Sequence, residues 1–143
     1  MNTRYIKVFL RLSIAIGFLS AVADRFGLYA KEVSAWGNWQ AFADYTQQIN
    51  PWLPDSIIPA LAILATTLEI IFAIGLLIGF KTELLARLSG VLVLIFGLSM
   101  TFAFGIKPAL DYSVFAVSAA AFALSTMHNK HLEIDNLIYK KNN

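Results

Sequence analysis

The chain contains no cysteine among its 143 residues. Disulfide frameworks, thiolate-bound metals, iron–sulfur clusters and Cys-x-x-Cys exchange chemistry are therefore excluded. Any redox role requires a bound cofactor or a partner protein. Charge is also scarce, because Asp, Glu, Lys and Arg make up only 14% of the residues, against about 25% in a typical soluble domain.

Apolar residues dominate instead, at 58% of the chain, and the mean hydropathy is +0.66. This composition is typical of a small integral membrane protein and predicts an all-α fold with the lipid bilayer as its first partner. The net charge of +2 does not indicate nucleic-acid binding, because the basic residues lie at the ends of apolar runs and form no single patch.

Four apolar segments predict four membrane-spanning helices, and hence a four-helix bundle in a single domain, residues 1–143. They cover residues 5–23, 57–80, 84–104 and 111–127. The segment 57–80 would measure roughly 36 Å as a helix. The first segment also resembles a secretory signal with an Ala-x-Ala cleavage site, but Arg11 interrupts its apolar region, which favours an uncleaved helix.

The longest polar segment, residues 24–56, predicts a loop outside the membrane that contains one short helix. Trp39, Phe42, Thr46 and Ile49 recur at helical spacing with polar residues between them. Such a pattern is typical of a helix that lies in the headgroup region. Three tryptophans are predicted to anchor the loop at the membrane surface, namely Trp36, Trp39 and Trp52.

The basic residues predict the orientation in the membrane. With both termini inside, eight of the 11 Lys and Arg residues lie on or near the cytoplasmic side, and Arg25, Lys31 and Lys107 lie outside. This bias follows the positive-inside rule. We therefore expect a multi-pass protein of the bacterial cytoplasmic membrane, with both termini and the tail 128–143 in the cytoplasm.

Glu69 is the only ionisable residue of the run 57–80 and lies near its middle. A lipid-facing carboxylate costs several kcal/mol and is kept only with a partner or a task. Thr66 lies one turn before it on the same helix face. Arg11 is the preferred partner, since its long side chain can extend toward mid-membrane, and Arg87 is the second candidate. Two alternatives stay open, a protonated Glu69 and a bound ligand.

A second group of polar residues is expected at the outer side of the membrane. Asp24 follows the first span, and Asp111 and Tyr112 begin the fourth. These three side chains could line a shared vestibule, although most such residues only cap helix ends. His128 and His131 lie three residues apart beyond the fourth span, but they lack a third ligand, so no metal site is predicted.

Small residues in two spans allow close helix approach. Gly75 and Gly79 form a Gly-x-x-x-Gly pattern, and Ala119 and Ala123 form a similar pair in the fourth span. Packing within one bundle explains them, and a homodimer seam is the alternative.

Short motifs in three of the spans resemble the DoxX family of four-helix bacterial membrane proteins. They are Leu10-Arg11-Leu12, then Glu69 followed by Gly75-x-x-x-Gly79, and finally the stretch from Thr82 to Arg87. Many members carry a basic residue after the first span, where this chain has Asp24-Arg25. The resemblance carries over five residues as family positions, Arg11, Glu69, Gly75, Gly79 and Arg87.

The resemblance implies an accessory or quinone-proximal subunit of a membrane redox system, with quinone as the implied ligand. In that interpretation, Arg11 and Glu69 form a polar pair beside the quinone headgroup. Two alternatives stay open. One is a non-enzymatic assembly protein that contacts a membrane or periplasmic protein, and the other is a carrier of a small solute or proton that uses Glu69. No self-contained enzyme is predicted.

Overall fold

The computed structural model describes residues 2–136, and within that range the chain is all-helical and forms no strand. A 3₁₀ turn at Asp55–Ile57 precedes the third helix. The helices are α1 (Thr3–Arg25), α2 (Trp39–Ile49), α3 (Ile58–Ile78), α4 (Thr82–Phe104), α5 (Ile106–Asp111) and α6 (Val114–Ser125).

Three of these helices are long and apolar enough to cross a membrane. They are α1, α3 with its preceding 3₁₀ turn, and α4, at 23, 24 and 23 residues with mean hydropathies of 1.9, 2.5 and 1.9. Each exceeds the roughly 20 residues that a bilayer requires. The prediction of a helical membrane protein is therefore supported by both length and composition.

The local sequence favours the start of α1 and both ends of α3. The Asn2 side chain accepts a hydrogen bond from the Arg4 amide and so caps the start of α1. Pro59 lies in the first turn of α3. A backbone N–H there would have no helical acceptor, so the proline removes no helical hydrogen bond. Gly79 ends α3 with a left-handed φ of 71°, which a residue without a Cβ adopts at little cost.

The fourth apolar segment forms a shorter helix than the sequence predicts. At 12 residues, α6 measures roughly 18 Å, well below the roughly 30 Å of a hydrocarbon core. The predicted span 111–127 begins too early, because Asp111 ends α5 and Ser113 has a left-handed φ of 56° that interrupts the helix. The structure therefore has three helices of full membrane length and one shorter apolar helix within residues 2–136.

α6 packs antiparallel against α4 through small residues. The Ser118 hydroxyl donates to the Gly90 carbonyl at 2.8 Å. A Cβ added at Gly90 would lie 2.9 Å from the Phe122 ring, and one added at Gly97 would lie 3.0 Å from the Phe115 ring. Glycines in α4 thus let the α6 aromatic rings approach the α4 backbone.

The main core lies between α1, α3, α4 and α6, and consists of apolar side chains that point away from the surrounding surface. Its members are Ile14, Ala15, Phe18, Phe72, Ala73, Leu76, Leu85, Ala86, Val93, Ala121 and Leu124. Gly75 lets α3 and α4 approach closely, because a Cβ at this position would overlap the Leu85 side chain. Gly75 therefore contributes to packing within the chain. Ala119 and Ala123 are exposed on α6. The homodimer stays a prediction.

α2 lies across one end of the long helices, which we call the α2 end. Trp39 stacks on Phe26 after α1, with ring centroids 6.1 Å apart. Tyr45 lies 6.3 Å from Phe104 at the end of α4, and burial raises the pKa of its hydroxyl, with a smaller contribution from the charge of Tyr112.

The opposite end, which we call the terminal end, contains the start of α1, the turn between α3 and α4, and residues 128–135. The backbone amide of Asp135 donates to the Gly79 carbonyl at 3.2 Å. The Lys7 ammonium donates to the Asn129 carbonyl at 2.9 Å. The first helix and the segment after α6 therefore meet at the same end of the molecule.

Candidate functional site

A buried ion pair between Arg25 and Glu69 lies near the α2 end. Arg25 Nη2 donates to Glu69 Oε1 at 2.9 Å, and Nη1 lies 2.8 Å from Oε2. Nη1 also donates to the Thr66 hydroxyl at 2.8 Å. Arg25 is 3% exposed and Glu69 1% exposed, so both charges are removed from solvent and lipid and depend on each other.

The predicted pairing of Glu69 with Arg11 is wrong, and side-chain direction explains the error. A helical side chain leans toward the N-terminus of its own helix. α1 starts at the terminal end, so Arg11 leans toward that end and away from Glu69. α3 runs in the opposite direction, so Glu69 leans toward the α2 end, where the Arg25 side chain extends back to meet it.

Arg11 instead binds backbone carbonyls at the terminal end. Its Nε donates to the Leu76 carbonyl at 2.9 Å, and Nη2 donates to the Leu77 carbonyl at 3.1 Å. These carbonyls belong to the last turn of α3, where no intrahelical donor remains for them. Nη1 donates to the carbonyls of His131 and Leu132 at 3.2 and 2.9 Å. Arg11 therefore joins α1, α3 and the segment after α6.

Residues 129–135 form a strap across the terminal end, held by charged side chains. Glu133 Oε1 lies 2.6 Å from Lys7 Nζ and 3.8 Å from Arg11 Nη1. Asp135 Oδ1 accepts from the Lys81 amide at 3.0 Å, beside the start of α4, where a negative charge is favourable. Lys7, Arg11, Glu133 and Asp135 are all buried.

Arg87, the second predicted partner of Glu69, is exposed on α4. Its side chain does not turn inward to the ion pair, since both oxygens of Glu69 face Arg25. Of the four residues predicted for the intramembrane site, the structure brings together Thr66 and Glu69 and leaves Arg11 and Arg87 elsewhere.

Two aromatic rings cover the Arg25 guanidinium. Its Cζ lies 3.8 Å from the centroid of the Phe42 ring and 5.3 Å from that of Trp36. Cation–π attraction at such distances is worth up to about 2 kcal/mol when the cation is desolvated. Trp36 was predicted as a surface anchor, but its ring faces the buried cation. Trp52, at 54% exposed, stays a candidate anchor, and Trp39 packs on Phe26.

The polar site retains unused hydrogen-bonding capacity. Arg25 Nε is buried and donates to no acceptor within residues 2–136, and Glu69 Oε2, although close to Nη1, accepts no hydrogen bond of good geometry there. Unpartnered buried groups of this kind are uncommon. Arg25 Nε is therefore the atom of the ion pair that lacks both a hydrogen-bond and an ionic partner among residues 2–136.

Asp24 holds the loop that carries Trp36. Its carboxylate accepts from the Ser34 hydroxyl and from the backbone amides of Ala35 and Trp36, both at 2.9 Å. Three donors on one carboxylate fix the loop relative to the end of α1. Asp24 therefore positions the Trp36 ring over Arg25.

Of the three residues of the predicted outer vestibule, Asp24 lines a cavity that the other two do not reach. The cavity beside Asp24 is lined by α1 and the following loop, and includes neither Asp111 nor Tyr112. Asp111 pairs with Lys107 at 2.6 Å on the surface, and Tyr112 is 74% exposed.

The two histidines have separate surroundings. His128 Nδ1 lies 3.1 Å from Glu83 Oε2, and the His131 ring packs edge-on against Tyr5 with centroids 6.4 Å apart. In the described range, 2–136, no group of three or more His, Asp or Glu side chains could hold a metal ion.

Sequence reasoning missed Arg25, Lys7 and Glu133 as members of buried polar clusters. A usable signal exists for the first two, because Lys7 and Arg11 lie one turn apart and Arg25 falls four turns further on the same face of α1. That face also carries Phe18 and Val22, both buried. A charge on the core-facing side of a helix indicates a buried partner, whereas Glu133 lies in a polar tail and carries no such signal.

No protein-family model matches the chain, and neither the curated proteins nor the solved structures include a significantly similar one.

Proposed function

We propose that the protein is a DoxX-like accessory subunit of a membrane redox system, with a quinone headgroup bound beside Arg25 and Glu69. The observation that carries this proposal is the buried ion pair under two aromatic rings, in which Arg25 Nε donates to no acceptor among residues 2–136. A quinone carbonyl can accept from such a donor, and its flat ring suits the Trp36 and Phe42 faces.

The same proposal includes the placement in the membrane. α1, α3, α4 and the shorter α6 form a four-helix bundle in the bacterial cytoplasmic membrane, and α2 lies in the outer headgroup region as an interfacial helix. Both termini face the cytoplasm. Support comes from the basic residues of the terminal end, among them Arg4, Lys81 and Arg87, since positive charge favours the cytoplasmic side.

Single-cysteine variants test the orientation, because the chain has no cysteine of its own. Gln48 and Asn136 are exposed at the α2 and terminal ends. We expect Gln48→Cys to react with an impermeant thiol reagent on intact spheroplasts and Asn136→Cys to react only after the membrane is opened. The reverse labelling pattern would show the opposite orientation.

Quinone binding is tested by tryptophan fluorescence of the purified protein in nanodiscs. A short-chain ubiquinone analogue should quench the emission saturably, and Trp36→Phe should remove most of the quenching. Arg25→Lys keeps the charge but not the Nε donor, so it should weaken binding by about tenfold, the value of one hydrogen bond of about 1.4 kcal/mol. Arg87→Lys is the matched control, and its affinity should equal that of the wild type. Linear, non-saturating quenching of the wild-type protein would contradict the proposal.

One observation favours a second candidate, an assembly protein with a membrane or periplasmic protein partner. Leu28 and Val33, in the loop after α1, are 75% and 74% exposed. A stable partner in affinity purification that is lost with Leu28→Ser and Val33→Ser would support this role. The carrier alternative has less support, because Glu69 is engaged by Arg25 and four buried charges tie the strap to the terminal end.

A further inference from the structure

A cavity of about 360 Å³ lies between the last two turns of α1 and the loop that follows. Ser20 and Ala21 form its α1 side, and Tyr29 and Val33 form its loop side. Trp36 also lines it, and the same indole lies 5.3 Å from the Arg25 guanidinium. The cavity is therefore a neighbour of the buried ion pair, with Trp36 as the shared side chain.

The cavity offers a neutral hydrogen-bond donor. The Ser20 and Tyr29 hydroxyls lie 3.0 Å apart. Two hydroxyls carry two hydrogens, and one hydrogen bond between them uses one, so the pair keeps one O–H free to donate. Asp24, the charged residue of the lining, already accepts from Ser34, Ala35 and Trp36. The available chemistry is thus one hydroxyl donor in a cavity that the aromatic rings of Tyr29 and Trp36 line, which suits a planar, uncharged ring with a carbonyl oxygen.

A path for an apolar chain begins directly below the cavity. Gly17 lies one turn from Ser20 and Ala21 on the same face of α1. A Cβ added at Gly17 would meet no atom within 4 Å, so this part of the helix surface is open to lipid. An alkyl or prenyl chain attached to a headgroup in the cavity can lie along α1 at this glycine.

We propose that this cavity binds the head of a neutral amphiphile, a planar ring with a carbonyl acceptor, whose apolar chain runs past Gly17 into the bilayer. The Ser20–Tyr29 hydroxyl pair donates to the carbonyl, and the Trp36 ring packs against the head. Only the identity of the ring as a quinone rests on the proposed function.

Two ring compounds, each used with and without a decyl chain, test the assignment in nanodiscs by titration of Trp36 fluorescence. One is a ubiquinone ring with and without a decyl chain, and the other is an acetophenone with and without the same chain, which has the carbonyl but no quinone chemistry. Gly17→Leu should weaken the decyl forms at least tenfold and leave the chainless forms unchanged. The double variant Ser20→Ala, Tyr29→Phe should weaken all four probes by about tenfold. Ala60→Leu, at another exposed small residue, is the control and should change none.

The outcomes separate this inference from the proposed function. If the acetophenone probes follow the variant pattern but no quinone binds, the cavity assignment stands and the quinone proposal fails. If a quinone binds and responds to Arg25→Lys but not to Gly17→Leu or the double variant, the cavity assignment is overturned alone. The assignment would also be overturned if Gly17→Leu weakened the binding of probes with and without a chain equally. It would be overturned as well if the probes showed no saturable binding to the protein above their partition into the surrounding lipid.

Discussion

Glu69→Leu is expected to lower the free energy of unfolding by about 3–5 kcal/mol, because the apolar side chain leaves the Arg25 cation buried without a counter-charge. Arg25→Met should cost a similar amount, since it leaves the Glu69 carboxylate alone. The double variant Arg25→Met, Glu69→Leu should be more stable than either single one, because well-packed apolar residues often replace a buried ion pair at little cost. Reversible unfolding in mixed detergent micelles measures all three.

The coupling between the two substitutions is the decisive quantity. We expect the double variant to differ from the sum of the singles by at least about 2 kcal/mol, as is found for residues in one hydrogen-bonded network. Arg87→Met is the control, an exposed arginine in another span, and should change stability by less than about 0.5 kcal/mol. Losses that add within about 0.5 kcal/mol would show that Arg25 and Glu69 do not interact.

Stability and binding should separate in the double variant. Its core is intact, yet both the Nε donor and the carboxylate are absent, so the restored fold should bind the quinone analogue no better than Arg25→Met does. Recovery of binding together with stability would mean that the pair has only a structural role.

Much of the helical architecture could be predicted because it depends on long apolar runs. The lengths of α1, α3 and α4 follow from the hydropathy of consecutive residues, and no tertiary contact is needed to identify them. α6 was harder, because the apolar run 111–127 continues through Ser113, whose left-handed backbone is a local choice that composition does not show.

The candidate site was predicted only in part, for a geometric reason. A lone carboxylate in the hydrocarbon core has a high free-energy cost, so the sequence alone predicts that Glu69 is paired. Its partner depends on which way each side chain leans along its helix. The expected depth of Arg11 in the membrane favoured it as the partner. The opposite directions of α1 and α3 instead bring the Arg25 side chain to Glu69. The rings of Phe42 and Trp36 could not be assigned to the site, since only the fold of the loop brings them over Arg25.

Gly79 is the glycine on which the strap depends. Its φ of 71° lies in the left-handed region, and a Cβ would lie 2.6 Å from the Glu133 Cα and 2.8 Å from Arg11 Nη2. The backbone of Glu133 cannot move away without breaking the hydrogen bond from the Asp135 amide to the Gly79 carbonyl, 3.2 Å long. A side chain at this position therefore opposes both the end of α3 and the strap.

Gly79→Ala is expected to release the strap, and amide hydrogen exchange in nanodiscs measures the release. The left-handed backbone alone costs an alanine about 1–2 kcal/mol, and displacement of Glu133 adds to this. With a total of about 2–3 kcal/mol, exchange at the Asp135 and Lys81 amides should accelerate roughly 30- to 150-fold.

Lys7→Met should accelerate exchange at the same two amides without any change at Gly79, because it removes the cation 2.6 Å from Glu133. Gly17→Ala is the control, since its Cβ meets no neighbour and its φ is not positive, and exchange at both amides should stay at the wild-type rate. Wild-type exchange in Gly79→Ala and in Lys7→Met would show that residues 129–135 do not close this end of the protein.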